Sequence, residues 1–168
     1  MRLLIAGVGN IFFGDDGFGS EVARALSVDA PAGVKVEDFG IRGLHLAYEL
    51  LAGYDRAIVI DAVPRGGAPG TLYLIEPDVS GTRGTPDAHG MDLASVFALA
   101  ATLGGELPPV TLVGCEPAEA EETIGLSEPV RGAIAPALEL VRRLVADALA
   151  AGSGAHAALA RRRAWIEA

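Results

Sequence analysis

Residues 57–63 read Ala-Ile-Val-Ile-Asp-Ala-Val, a run that is apolar at every position but one. A segment this short with no polar face is a strand covered on both sides, the pattern of a parallel sheet enclosed by helices. The rest of the chain has to supply strands beside it and helices above and below it. Residues 3–8 are a second short apolar run, interrupted by Gly7 and closed by Gly9. Residues 34–39 alternate in polarity, and 71–75 and 110–115 complete a set of five predicted strands. Between them Val22, Ala23 and Leu26 fall at helical spacing before the Pro31-Ala32-Gly33 break. Leu44, Leu46, Ala47, Leu50 and Leu51 make a helix face ended by Gly53. Residues 91–103 read as helix, and Val130, Ile134, Leu138, Val141, Leu144, Val145 and Ala148 stripe a long final one.

The predicted order is therefore β-α-β-α-β-β-α-β-α. Strands separated by helices need crossover connections, which gives an α/β fold with a mainly parallel sheet covered on both faces. The fourth strand follows the third across a loop, residues 64–70, and is free to run antiparallel. No linker or internal repeat divides residues 1–150, which are expected to form one domain. Ala151-Gly152-Ser153-Gly154 is the one flexible stretch. Residues 151–168, with Arg161, Arg162 and Arg163, are expected to be a flexible or loosely docked tail.

Composition narrows the function classes. With 51% hydrophobic and 21% charged residues in 168, the chain can bury a full core and is not disordered. A formal charge of −9 repels phosphate backbones, which disfavours nucleic acid. The N-terminal apolar run has only Arg2 before it and is followed by no small-residue cleavage site, so it does not read as a signal segment. No apolar stretch is long enough to span a bilayer. The lone cysteine, Cys115, ends a predicted strand and reads as core. These features lead us to expect a soluble cytoplasmic protein and, from its self-sufficient core, a monomer.

Ligands of open α/β sheets bind beyond the carboxyl ends of the strands. The polar residues expected there are Asn10, Asp15 and Asp16 after strand one and Asp38 after strand two. Asp61 ends strand three, Asp87 and His89 follow strand four, and Glu116 follows strand five. Asp61 is the most informative, because an ionised carboxylate closing an apolar run is costly unless a cation or hydrogen bonds compensate it; the alternative, which the strand position makes the lesser of the two, is a turn capped by its own side chain. Asp15 and Asp16 lie between Gly14 and Gly17 ahead of a helix, so one can cap while the other faces the cleft. A loop histidine such as His89 is usually just solvated, but two carboxylates and an imidazole make an open site for Zn²⁺ or Ni²⁺. Asp92 either caps the following helix or orients that imidazole. His45 and His156 are weaker candidates. The dinucleotide fingerprint fails at Phe12, and no phosphate loop, His-Glu-x-x-His helix, Gly-x-Ser-x-Gly elbow or Cys-x-x-Cys pair occurs.

Gly7-Val8-Gly9-Asn10 and Gly14-Asp15-Asp16-Gly17-Phe18-Gly19 resemble the opening of the nickel–iron hydrogenase maturation endopeptidases. The likeness continues through Ile60-Asp61-Ala62, Pro69-Gly70-Thr71, His89, Leu112-Val113-Gly114 and Ile124-Gly125-Leu126, covering residues 1 to about 150. It implies a three-layer α/β/α sandwich with a five-stranded sheet. It also implies removal of a C-terminal peptide from the hydrogenase large-subunit precursor after nickel insertion. The family's metal ligands carry over as Asp16, Asp61 and His89, the trio that the strand ends also bring forward. Asp16 is the shorter acid where some members have glutamate. Residues 38–43, Asp-Phe-Gly-Ile-Arg-Gly, stand where many members carry a glycine–threonine turn thought to meet the precursor, which leaves the hydrogenase class open.

The expected mechanism places the precursor's nickel on Asp16, Asp61 and His89, with zinc or another divalent ion able to substitute. Either the metal activates the carbonyl or a water, or a carboxylate such as Asp16 or Asp38 acts as general base. A non-catalytic nickel metallochaperone or sensor would use the same ligands. A peptidyl-tRNA hydrolase shares the Gly-x-Gly-Asn opening, but the acidic charge opposes it.

Overall fold

The computed structural model describes residues 1–77, 93–118 and 123–153. Five strands, β1 (Leu3–Val8), β2 (Val34–Gly40), β3 (Arg56–Ala62), β4 (Leu72–Ile75) and β5 (Val110–Cys115), form one sheet in the order β2-β1-β3-β5-β4. Four helices flank it: α1 (Phe18–Leu26), α2 (Gly43–Leu50), α3 (Leu93–Thr102) and α4 (Glu128–Ser153). β1 pairs in parallel with β2 and β3, and β3 with β5. β4 runs antiparallel to β5, as a strand reached by a loop without a crossover helix is free to do.

Strand alternation divides the core in two. Leu4, Ala6 and Val8 of β1 and Ala57 and Val59 of β3 pack with Leu46, Ala47 and Leu50 of α2 and Val96, Phe97 and Ala100 of α3. Leu3, Ile5, Ile58 and Ile60 point the other way, onto Phe18, Val22 and Leu26 of α1 and Val130, Ala137 and Val141 of α4. The result is the expected α/β/α sandwich. All six residues of β1 and the four from Ala57 to Ile60 of β3 are buried, which is why neither run shows a polar face.

The helix α1 reaches the sheet at Gly19. A Cβ there would collide with the carbonyl oxygens of Ile60 and Val8, so only glycine lets the helix start sit on the carboxyl ends of β1 and β3. Two segments differ from their sequence expectation. Residues 14–17, expected as loop, form a 3-10 turn (Gly14–Gly17) leading into α1. The final helix continues to Ser153, through the glycine at 152 that marks a flexible stretch in the sequence. A glycine in a helix interior costs only about 1 kcal/mol, which a long packed helix absorbs near its end. The expected tail beyond 153 lies outside the described residues.

Candidate active site

The strand order places a reversal at the centre of the sheet. From β1 the chain goes to β2 on one side, then returns past β1 to β3 on the other. The crevice between the carboxyl ends of two such strands is where open α/β sheets bind ligands. β1 and β3 are in register through Gly7 and Ile60, so Asp61 stands beside the end of β1, and the 3-10 turn carrying Asp16 packs against β3. Asp16 and Asp61 therefore both border this crevice.

Asp16 is half-buried and held from one side. Its Oδ2 accepts a hydrogen bond from the Asn10 backbone N–H at 2.6 Å, while Oδ1 has no hydrogen-bond partner among the described residues. The turn is fixed by Asp16 N–H donating to the Phe13 carbonyl at 3.1 Å and Phe13 N–H donating to that of Asn10 at 3.0 Å. Gly9, at φ 125°, leaves room for the Asp16 carbonyl where any side chain would strike it. Asp61 is also half-buried, in the alternating row of Ala57 and Val59, and its Oδ1 accepts from the Ala62 N–H at 2.8 Å. The cost of closing an apolar strand on a carboxylate is thus partly met by the peptide N–H of the next residue, Ala62.

The neighbouring acids are occupied. Asp15 is buried and accepts from Ala118 N–H (2.8 Å), Ser127 N–H (2.7 Å) and the Ser127 hydroxyl (2.8 Å). The adjacent pair thus divides its labour: Asp15 ties the turn to the start of α4, and Asp16 borders the crevice. Asp38 accepts from the Ser20 hydroxyl (2.7 Å) and Gly40 N–H (3.0 Å) through Oδ1, and from Arg24 Nε (2.9 Å) through Oδ2. Glu116 is buried, with Oε2 accepting from the Tyr73 hydroxyl at 2.6 Å and Arg65 N–H at 2.8 Å, and Oε1 from Gly66 N–H at 3.0 Å. The Tyr73 hydroxyl, aided by these backbone donors, holds the Glu116 carboxyl below the usual glutamate range, and the same bond pushes the Tyr73 phenol up. Burial, reinforced by Asp15 and Glu116, pushes the Cys115 thiol up to about 11, so it is a core residue with no thiolate at neutral pH.

His45 is exposed on α2. His89, with Asp87, Asp92 and His156, lies outside the described residues. Among the described residues no three His, Cys, Asp or Glu side chains converge to hold a metal ion. Asp16 and Asp61 nevertheless suit one as a donor set: two half-buried carboxylates, hydrogen-bonded so that each is oriented, with no partner for Asp16 Oδ1 among the described residues. Sequence reasoning did not foresee Ser20 and Arg24 as partners of Asp38, or Tyr73 as partner of Glu116. Only the i, i+4 spacing of Ser20 and Arg24 on α1 hinted that the first two share a face.

A crevice bordered by acids at the switch point of an α/β/α sandwich is a site suited to hydrolysis, and comparison with known proteins specifies which kind. Residues 20–144 match the family model of hydrogenase maturation proteases. The chain is 36% identical to the hydrogenase 2 maturation protease of Escherichia coli over 149 residues, covering 84% of this chain and 88% of that protein. It is 33% identical over 151 residues to the hydrogenase expression/formation protein HupD of Rhizobium leguminosarum, covering 86% of this chain and 74% of that one. The solved structure of the hydrogenase maturating endopeptidase HybD from E. coli superposes with a TM-score of 0.75 at 32% identity, covering 88% of this chain and 94% of that one. The chain belongs to the hydrogenase maturation protease family, and it is a peptidase.

Proposed function

We propose that this peptidase removes the C-terminal peptide of a nickel–iron hydrogenase large-subunit precursor after nickel insertion, and that it recognises the precursor's nickel through Asp16, Asp61 and His89. The observation that carries the reading is that Asp61 lies at the carboxyl end of β3 beside the end of β1, while the turn carrying Asp16 packs against β3. His89, which lies outside the described residues, joins them from the sequence, where it follows β4. In this reading the nickel belongs to the substrate. Zinc or another divalent ion would suit the same oxygen and nitrogen donors.

Bound by these residues, a divalent ion supplies Lewis acidity for a carbonyl or a water. The chain's own contribution is to hold the scissile peptide beside that centre. In the hydrolysis the water oxygen forms the new bond to carbonyl carbon, the C–N bond breaks, and the proton lost by water reaches the departing amine by way of a carboxylate. Asp16 has an oxygen that accepts no hydrogen bond among the described residues, whereas both oxygens of Asp38 are engaged by Ser20, Gly40 and Arg24. No helix among the described residues is long and apolar enough to cross a membrane. We place the reaction in the cytoplasm, with the protein acting as a monomer.

Mixing the purified protein with nickel-loaded precursor and following its mass tests the proposal. Loss of one C-terminal peptide with the wild type and not with Asp61→Ala is the expected result. Binding of nickel without cleavage across several precursors would replace it with a metallochaperone role.

A further inference from the structure

Asp38 is an acid of the site edge whose carboxylate, among the described residues, is bonded to Ser20, Arg24 and Gly40. Arg24 meets its Oδ2 with both Nε and NH2 at 2.9 Å, and Ser20, fully buried, donates its hydroxyl to Oδ1. That same Oδ1 accepts Gly40 N–H at 3.0 Å and so fixes the end of β2, where the pairing with β1 slips between Gly7 and Val8. The Gly40 carbonyl in turn accepts Gly9 N–H at 3.1 Å, and the Ser20 hydroxyl also lies 3.4 Å from the Gly9 carbonyl. The next peptide N–H along the chain is that of Asn10, which makes the one hydrogen bond to the Asp16 carboxylate among the described residues. An unbroken path of hydrogen bonds and two peptide units thus joins Arg24 and Asp38 to Asp16.

We infer that Asp38, clamped by Arg24 and Ser20, is a positioning residue that sets the Gly9–Asn10 backbone and through it the aim of Asp16 at the precursor's nickel. It does not touch the reacting atoms. The inference rests on Asp16 being a nickel ligand, as proposed above. Partners that orient a ligand are commonly worth about 10–100-fold in metal affinity.

The test is a double-mutant cycle read by calorimetric titration with Ni²⁺ on the full chain, comparing wild type, Asp38→Asn, Asp16→Asn and the double variant. Asp38→Asn is expected to weaken nickel binding about tenfold. In the Asp16→Asn background it is expected to cost less than about twofold, since the path then ends on nothing. Arg24→Gln, at a side chain 51% exposed, removes the clamp without disturbing the core and carries the same cycle should Asp38→Asn fail to fold. An equal loss in both backgrounds would mean general destabilisation and overturn the inference. So would unchanged nickel affinity with cleavage abolished, which would make Asp38 a catalytic residue. Asp16→Asn binding nickel as the wild type does, or a wild type that takes up none, would remove the ligand assignment itself and the positioning role with it.

Discussion

Asp15 and Ser127 stand 112 positions apart and meet twice, the Ser127 N–H donating to Asp15 Oδ1 at 2.7 Å and its hydroxyl to Oδ2 at 2.8 Å. With Ala118 N–H on the same carboxylate, this joins three segments: the turn ahead of α1, the end of β5 and the start of α4. Asp15→Ala would leave two backbone donors without their acceptor in a place that is 2% exposed. Each such buried group costs about 1–3 kcal/mol, so a loss of about 3 kcal/mol is expected in urea unfolding. Asp15→Asn, which keeps an acceptor but presents an NH₂ to donors, should fall between. A destabilisation no larger than that of an exposed surface substitution would show that the three segments hold together without this carboxylate.

Glu116 and Tyr73 meet where β4 starts beside the end of β5, and Glu116 also holds the loop that follows β3 through the Arg65 and Gly66 N–H groups. Because the folded protein depresses the Glu116 value, the stability it adds is fully present above the unfolded carboxyl value of about 4.5 and is lost as pH falls through the lower folded value. Tyr73→Phe removes the largest cause of that depression. The stability gap between wild type and Tyr73→Phe should therefore be constant from pH 6 to 8 and narrow as pH drops below about 4.5. Chemical denaturation at a series of pH values reads it. A gap that stays the same down to pH 3 would mean that the hydroxyl contributes packing alone.

Gly19 tests how closely the site depends on α1, the helix that follows the Asp16 turn. The carbonyls of Ile60 and Val8 occupy the space a Cβ would need, and both belong to backbone that cannot swing aside. Gly19→Ala is expected to cost about 1–3 kcal/mol or more by displacing α1 from the sheet. The displaced helix carries the Asp16 turn away from β3, so cleavage should fall even at temperatures where circular dichroism reports a folded chain. Full activity in a destabilised Gly19→Ala would show that Asp16 tolerates a shift of α1.

Much of this architecture can be read from residue pattern alone, because periodicity reports burial directly. The continuous apolar runs of β1 and β3, set against the alternation in residues 34–39, mark a centre and an edge, and the structure has β2 at one edge. The loop between β3 and β4 likewise signalled the antiparallel pair. What pattern does not report is which polar groups meet. Asp15 and Asp16 are interchangeable as letters, and only the arrival of Ser127 and Ala118 assigns Asp15 to structure. Glu116 stood at the right edge in the sequence, but its burial under Tyr73 depends on β4 turning back along β5. Asp38 read as an available base until α1 brought Arg24 and Ser20 to it. The role expected of His89 lies outside the described residues.

The proposed recognition of nickel on the substrate separates cleanly from a resident metal. Asp16 and Asp61 offer carboxylate oxygens from two different elements, and with one imidazole they leave positions for the ligands that come with the precursor. Treating the peptidase with a chelator and desalting it should therefore leave its rate on nickel-loaded precursor unchanged, while nickel-free precursor stays uncut. Asp16→Asn and Asp61→Asn should each lower cleavage of the loaded precursor by more than about a hundredfold, since even a residue behind a ligand is commonly worth 10–100-fold. Both would be followed by mass spectrometry of the precursor at matched protein concentration. A chelated enzyme that regains activity only when zinc or nickel is returned to it would place the ion in the peptidase instead. Asp16 and Asp61 would then be ligands of a permanent catalytic centre, and the precursor's own nickel would no longer be needed to explain which proteins are cut.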